Sequence, residues 1–134
     1  MLSRHTIELR VRYHETDGQK RLHHTAYLNY FETGRVELLR AAGHSYKQVE
    51  EAGIFLVVKS VQVNYHLPAD YDDVLSLEVA TVRAKGARIE HHYWLRRGDD
   101  LIADGSTIVA CIGSDGKVRR LPDWLRSEPS DSES

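Results

Sequence analysis

The chain has 134 residues, 41% hydrophobic and 28% charged, an ordinary globular mixture with room for one domain. Its 18 Lys and Arg against 20 Asp and Glu leave a net charge of −2, so no general electrostatic attraction to nucleic acid or to an anionic membrane is expected. A single cysteine, Cys111, excludes an internal disulfide framework and any Cys-based zinc site. The first dozen residues alternate and carry charges rather than forming an apolar signal core. No apolar run approaches the roughly 20 residues of a membrane helix. The expectation is a cytoplasmic protein.

Ile7, Leu9, Val11 and Tyr13 alternate with Glu8, Arg10 and Arg12, the period of a strand with one buried face. From Ala26 to Ala42 the pattern changes. Tyr27, Leu28, Tyr30, Phe31, Val36, Leu38 and Leu39 surround most of a helical circumference, which predicts a buried helix ended by Gly43. Ser45 and Gln48 have the spacing of a capping box for a short helix, Ser45 to Ala52, closed by Gly53. Strand patterns then follow over Phe55–Tyr65, Val74–Val82, Arg88–Arg96 and Leu101–Ile112. Pro68 with the cluster Asp70-Tyr71-Asp72-Asp73, the turn Ala84-Lys85-Gly86 and the turn Gly98-Asp99-Asp100 separate them. Pro122 opens a last helical turn anchored by Trp124 and Leu125. The last eight residues, SEPSDSES, hold no hydrophobe and read as a disordered acidic tail. Residues 1–126 are the expected domain.

The order β-α-α-β-β-β-β points to an α+β protein with an antiparallel sheet on one long helix. The hotdog fold, a curved sheet wrapped around a central helix, is one of few architectures with that order. So small a sheet has edges to cover, and a homodimer, or a tetramer of dimers, would cover them.

The segment VRYHETDGQKRLHHTAYLNYFETGRVELLR, residues 11–40, carries a composite pattern. Its parts are Arg12-Tyr13, Glu15-Thr16-Asp17, His24, Tyr27-Leu28 and Phe31-Glu32-Thr33-Gly34-Arg35. Further along come Tyr65-x-x-Pro68-Ala69-x-Tyr71-Asp72-Asp73 and Lys85-Gly86-Ala87-Arg88. Together these resemble the 4-hydroxybenzoyl-CoA thioesterase family of acyl-CoA thioester hydrolases, over almost all of residues 5–122. The resemblance implies the hotdog fold, cleavage of an acyl-CoA to a free acid and CoA, and Asp17 as the acid at the centre of the site. Two positions depart from the pattern: Lys20 stands where the family has glycine and Ala26 where it has asparagine. Gly18 is the expected source of turn flexibility, and Thr25 the expected helix cap.

Thioester hydrolysis needs a nucleophile or base and a donor for the developing oxyanion. The leaving thiol, with a pKa near ~8.5, departs without much acid help. Asp17 fits the first role, either attacking to give a mixed anhydride or activating water. Backbone N–H groups of His24 and Thr25 at the helix start fit the second. Tyr13 and the His24 ring are candidates for holding Asp17, water or the thioester, although Tyr13 also reads as a core residue and Asp17-Gly18 as a plain turn. Glu32 and Arg35, spaced i, i+3, read as a helix-surface pair or as groups at a subunit contact. Lys85, Gly86 and Arg88 suit a clamp for the phosphates of coenzyme A, with Lys59, Arg119 and Arg120 as weaker candidates. Adjacent His91 and His92 on a strand point to opposite faces. No HExxH, CxxC, GxxxxGK[ST], GxGxxG or GxSxG pattern is present, so no metal, nucleotide-loop or serine-elbow chemistry is expected. CoA enters only as part of the substrate, and no separate cofactor is expected. The alternative is a protein of the same fold that binds an acyl-CoA without cleaving it.

Overall fold

The computed structural model describes residues 3–126. Strand β1, Arg4–Arg10, is followed by helix α1, His24–Ala41, and the short helix α2, Tyr46–Glu51. Four strands complete the chain: β2, Ile54–Tyr65; β3, Val74–Lys85; β4, Arg88–Arg97; and β5, Asp100–Gly113. All pairings are antiparallel, and the order across the sheet is β1-β3-β4-β5-β2. Sequential strands β3, β4 and β5 pair through tight hairpins, while β2 crosses back to the far edge. This α+β arrangement, a curved sheet around one long helix, is the hotdog fold.

Alternation dictates which sheet face is covered. Leu75, Leu77 and Val79 of β3 and Ile89, His91, Tyr93 and Leu95 of β4 are buried under the helices, while Glu90, His92 and Trp94 lie on the outer face. His91 and His92 therefore point apart. Cys111 is fully buried among the residues packed around α2, and burial pushes its thiol pKa up, so it is a packed core thiol.

Helix α1 differs from its expected all-round burial. Its buried residues are Ala26, Tyr27, Tyr30, Phe31, Gly34, Arg35, Leu38 and Leu39, a single stripe at 3.6 spacing. Leu28, Asn29, Glu32 and Thr33 stay exposed because one sheet lies under the helix and no other described element covers it. Gly34 sits where a Cβ would come within 2.9 Å of Leu77 Cδ2, so the helix rests close on β3. The Ser45–Gln48 capping box of α2 is formed as expected, and Gly43 and Gly53 close the two helices with φ of 91° and 82°. A turn of 3-10 helix, Asp123–Leu125, seals the second core cluster with buried Leu125. The eight-residue acidic tail lies outside the described residues.

Candidate active site

The site is built by the connection from β1 to α1. The predicted first strand through Tyr13 stops at Arg10. Val11 leaves it to donate to Asp73 O at 2.9 Å, and Tyr13–Glu15 form a 3-10 turn. Tyr13 is thus 66% exposed rather than in the core, with its ring edge-on to Tyr71 at 5.5 Å. The turn is held by Glu15. Its Oε1 accepts from Arg12 N–H at 2.8 Å and from the Tyr30 hydroxyl of α1 at 2.8 Å. Burial, with that bond adding to it, pushes the Tyr30 pKa up, so its proton stays available for Glu15.

From Glu15 the chain makes a small antiparallel loop and returns to the helix. His23 N–H donates to Glu15 O (2.8 Å), Asp17 N–H donates to Arg21 O (2.8 Å), and Thr16 bridges Leu22. Leu22 N–H donates to Ala69 O and Tyr71 N–H to Lys20 O, which fastens the loop to the segment before β3. Asp17 lies exposed in this loop. Its Oδ1 accepts from Gln19 N–H at 2.8 Å and Arg21 N–H at 3.3 Å, and among the described residues Oδ2 takes no hydrogen bond. The turn reading of Asp17 and the site reading are therefore compatible: one oxygen shapes the loop and the other takes no bond among the described residues. Lys20, not Gly18, takes the left-handed conformation, with φ 64°. The family's glycine at that position answers a real backbone demand.

The helix start also departs from expectation. Its N-cap is His23, not Thr25: His23 Nδ1 accepts from Thr25 N–H at 3.3 Å and lies 2.9 Å from Thr25 Oγ1. Ala26 N–H is taken by His23 O at 2.9 Å. Of the two expected oxyanion donors, Thr25 N–H is thus engaged, whereas His24 N–H makes no hydrogen bond among the described residues. The His24 ring is exposed and stacked on His23 at 4.3 Å. Behind it the Tyr65 hydroxyl donates to His24 O at 3.4 Å, and the Tyr65 ring meets buried Tyr27 edge-on at 4.9 Å. Glu15, His23 and Tyr65 hold this loop and helix start by their hydrogen bonds, contacts that sequence reasoning passed over. Glu15 and Tyr65 were visible within the family pattern, but only their tertiary partners reveal the roles.

Along the open side of α1, from Leu28 to Arg35, runs a groove of about 210 Å³ lined by Leu28, Phe31, Glu32, Arg35, Val58 and Val61 among others; Asp17 and His24 do not line it. Glu32 and Arg35 do not pair. Buried Arg35 instead donates to the Tyr93 hydroxyl at 3.0 Å.

The expected phosphate clamp falls on the β3–β4 hairpin. Lys85 opposes Arg88 in the ladder, and Gly86 turns the chain with φ 64°. The turn is Gly86-Ala87, so Lys85 closes a strand rather than opening a loop. On the outer face Arg83, Lys85, Arg88, Glu90 and Ile108 line a groove of about 310 Å³; Arg83 is an addition to the expected set. Lys59 stands apart, in the bulge between Val58 and Ser60 on β2, with β5 between it and β4. Arg119 pairs with Asp115 at 2.8 Å. Among the described residues no three His, Cys, Asp or Glu side chains converge as a metal site, and no helix is long and apolar enough to cross a membrane.

The fold and this loop define a hotdog protein with an acid and a helix start at its candidate site. Residues 11–128 match the thioesterase-like superfamily, and the chain belongs to that family. It is 32% identical over 108 residues to the acyl-CoA thioesterase YbgC of Haemophilus influenzae, covering 80% of this chain and 79% of that protein. It is 25% identical over 122 residues to the acyl-CoA thioester hydrolase YbgC of Escherichia coli O6:H1, covering 90% and 91%. Its structure superposes on a DHNA-CoA thioesterase from Staphylococcus aureus with a TM-score of 0.84 and 28% identity, over 88% of this chain and 80% of that one.

Proposed function

We propose that this protein hydrolyses the thioester of an acyl-CoA. The observation that carries this reading is the loop from Glu15 to His24, which presents Asp17 Oδ2 and the His24 N–H, neither bonded within the described residues, from one short, fastened hairpin. The thioester carbonyl oxygen would sit on the His24 amide at the positive end of α1. Asp17 would then attack the carbonyl carbon or deprotonate a water that does, and the thiolate leaves. Lys85 and Arg88, flanking Gly86, would hold the phosphates of the coenzyme. Relatives named as acyl-CoA thioesterases support the substrate class.

The assembly that suits this site is a homodimer. Edge strand β2 exposes Phe55, Val57, Val58, Val61 and Tyr65, and Leu28 of α1 lies exposed too; such an edge favours pairing with a second copy. Sedimentation should show a dimer or a pair of dimers, and a monomer at micromolar concentration would reject that assembly.

Release of free thiol from a panel of acyl-CoAs tests the activity. Asp17→Asn should lower kcat by about 100-fold or more, the scale of losing an essential catalytic group. Lys85→Ala should raise KM for CoA thioesters well beyond any fall in kcat. Full turnover by Asp17→Asn would overturn the assignment. Tight acyl-CoA binding with no thiol released would instead establish a non-catalytic binder, the reading that Asp17's turn-forming bonds would then explain.

A further inference from the structure

Arg35 is 7% exposed, and among the described residues no carboxylate forms an ion pair with it. Its contacts are hydroxyls: the bond to Tyr93, itself 2.5 Å from Thr107 Oγ1, and Tyr46 beside it. A cation taken out of water without a counter-ion is costly, and such groups are normally paired. Arg35 lines two spaces at once. One is the groove along the open side of α1, from Leu28 to Arg35, whose Leu28, Val58 and Val61 are among the residues offered to a second copy. The other is a smaller cavity of about 30 Å³, whose wall includes Tyr46, Thr81 and His91, with room for the head of a chain rather than for a whole acyl group.

His91 is the second observation. It is 6% exposed, and its Nδ1 is the one buried side-chain nitrogen or oxygen among the described residues without a hydrogen-bond partner. Orphaned polar atoms of this kind are rare in folded proteins. Burial, with Arg35 and His92 nearby, pushes its pKa down to about 3, so the ring is neutral and adds no second positive charge. The cavity wall thus combines a guanidinium bonded to hydroxyls with no carboxylate ion pair, a histidine whose Nδ1 is unsatisfied, and apolar Leu38, Leu39 and Ile89; Glu32 lines the neighbouring groove.

Resting on the hydrolase reading above, we infer that Arg35 and His91 form the far end of the acyl site and select acyl groups that end in a carboxylate. Arg35 lies 11 residues after His24 on α1, roughly 16 Å along the axis. An arginine side chain on a helix leans back toward the N-terminus, which shortens the interval to the span of a medium-length acyl chain. The thioester carbonyl would rest at His24, the methylenes would cross the apolar groove over Phe31, and the carboxylate would complete the fork of Arg35 with bidentate bonds. A methyl terminus would leave Arg35 with hydroxyl partners but no counter-ion and His91 Nδ1 still unbonded, a penalty that sites built for a polar group impose on substrates lacking it.

The experiment compares suberyl- and adipyl-CoA with octanoyl- and hexanoyl-CoA on the full chain, by thiol release. The carboxylate-ended thioesters should show kcat/KM roughly 10- to 100-fold higher, the range of a hydrogen bond to a charged group. Arg35→Met should abolish that preference, read as the ratio of kcat/KM between suberyl- and octanoyl-CoA. Arg35→Lys, which keeps the cation and loses the fork, should narrow the preference without abolishing it. The wild-type comparison stands alone should a variant fail to fold: equal or better turnover of the methyl-ended chains overturns the inference. If no thioester is cleaved, the hydrolase reading fails separately. Calorimetry then decides the inference, with tighter binding of suberyl-CoA than octanoyl-CoA upholding it and equal binding overturning it.

Discussion

Lys20 holds a backbone conformation that its own side chain disfavours. With φ at 64°, its Cβ crowds the following carbonyl, at a cost of about 1–2 kcal/mol relative to a right-handed residue. Glycine removes that clash but adds freedom to the unfolded chain. Lys20→Gly should therefore raise the unfolding free energy by about 0.5–1 kcal/mol, read from urea midpoints at unchanged slope. A drop in stability would show that the lysine side chain makes a contact outweighing its strain. The position also explains a mistaken expectation: Gly18, the more obvious turn residue, is not among the residues with positive φ. Tyr71 N–H donates to Lys20 O, and that tie to a distant segment dictates where the chain must bend.

At the level of elements, Gly105 of β5 is the glycine with backbone closest to it, beside Phe31 of α1. A Cβ on Gly105 would stand 2.5 Å from Gln62 O on β2 and 2.9 Å from Phe31 Cε2 on α1. The backbone oxygen cannot step aside without opening the β2–β5 ladder, so Gly105→Ala should cost about 2–3 kcal/mol. Gly34→Ala meets only the end of the Leu77 side chain, which can change rotamer, and should cost less than half as much. Thermal unfolding of the two variants gives the comparison, and equal losses would contradict it. The strands and α1 were legible in the sequence because burial imposes a period on each: Ile89, His91, Tyr93 and Leu95 alternate as a half-covered strand must. The site was legible only in part. Asp17 and His24 stand out by residue type and place. The 3-10 turn that displaces Tyr13 depends on a carboxylate of Glu15 reaching Tyr30, fifteen residues away, and no local periodicity encodes that. The same holds for Arg35, whose partner Tyr93 comes from β4, so i, i+3 spacing with Glu32 suggested the wrong neighbour.

For the molecule as a whole, His91 makes folding sensitive to mild acid. Its folded pKa of about 3 lies below the ordinary 6.5, so between these values the unfolded chain binds more protons than the folded one. Stability is then full above pH 6.5 and declines as pH falls, approaching ~1.4 kcal/mol per unit once the unfolded imidazole is charged. Asp73, Glu78 and Asp104 have lowered pKa values too; the largest lowering influences are the Asp70 backbone N–H, the Arg4 side chain and the Asn64 amide, respectively. Their contributions fade only in the ordinary carboxylate range, near and below pH 4.5. The interval from pH 6.5 to 5 therefore belongs mainly to His91. Urea midpoints should drop across that interval in the wild type and stay nearly level in His91→Leu; parallel curves would reject the account.

Cys111 is the chain's sole thiol, sealed at 0% exposure within β5. A colorimetric reagent added to watch coenzyme liberation consequently meets no competing sulfhydryl from the folded catalyst. Slow background colour without substrate reports the opening that uncovers β5, so one cuvette yields both turnover and the frequency of that opening.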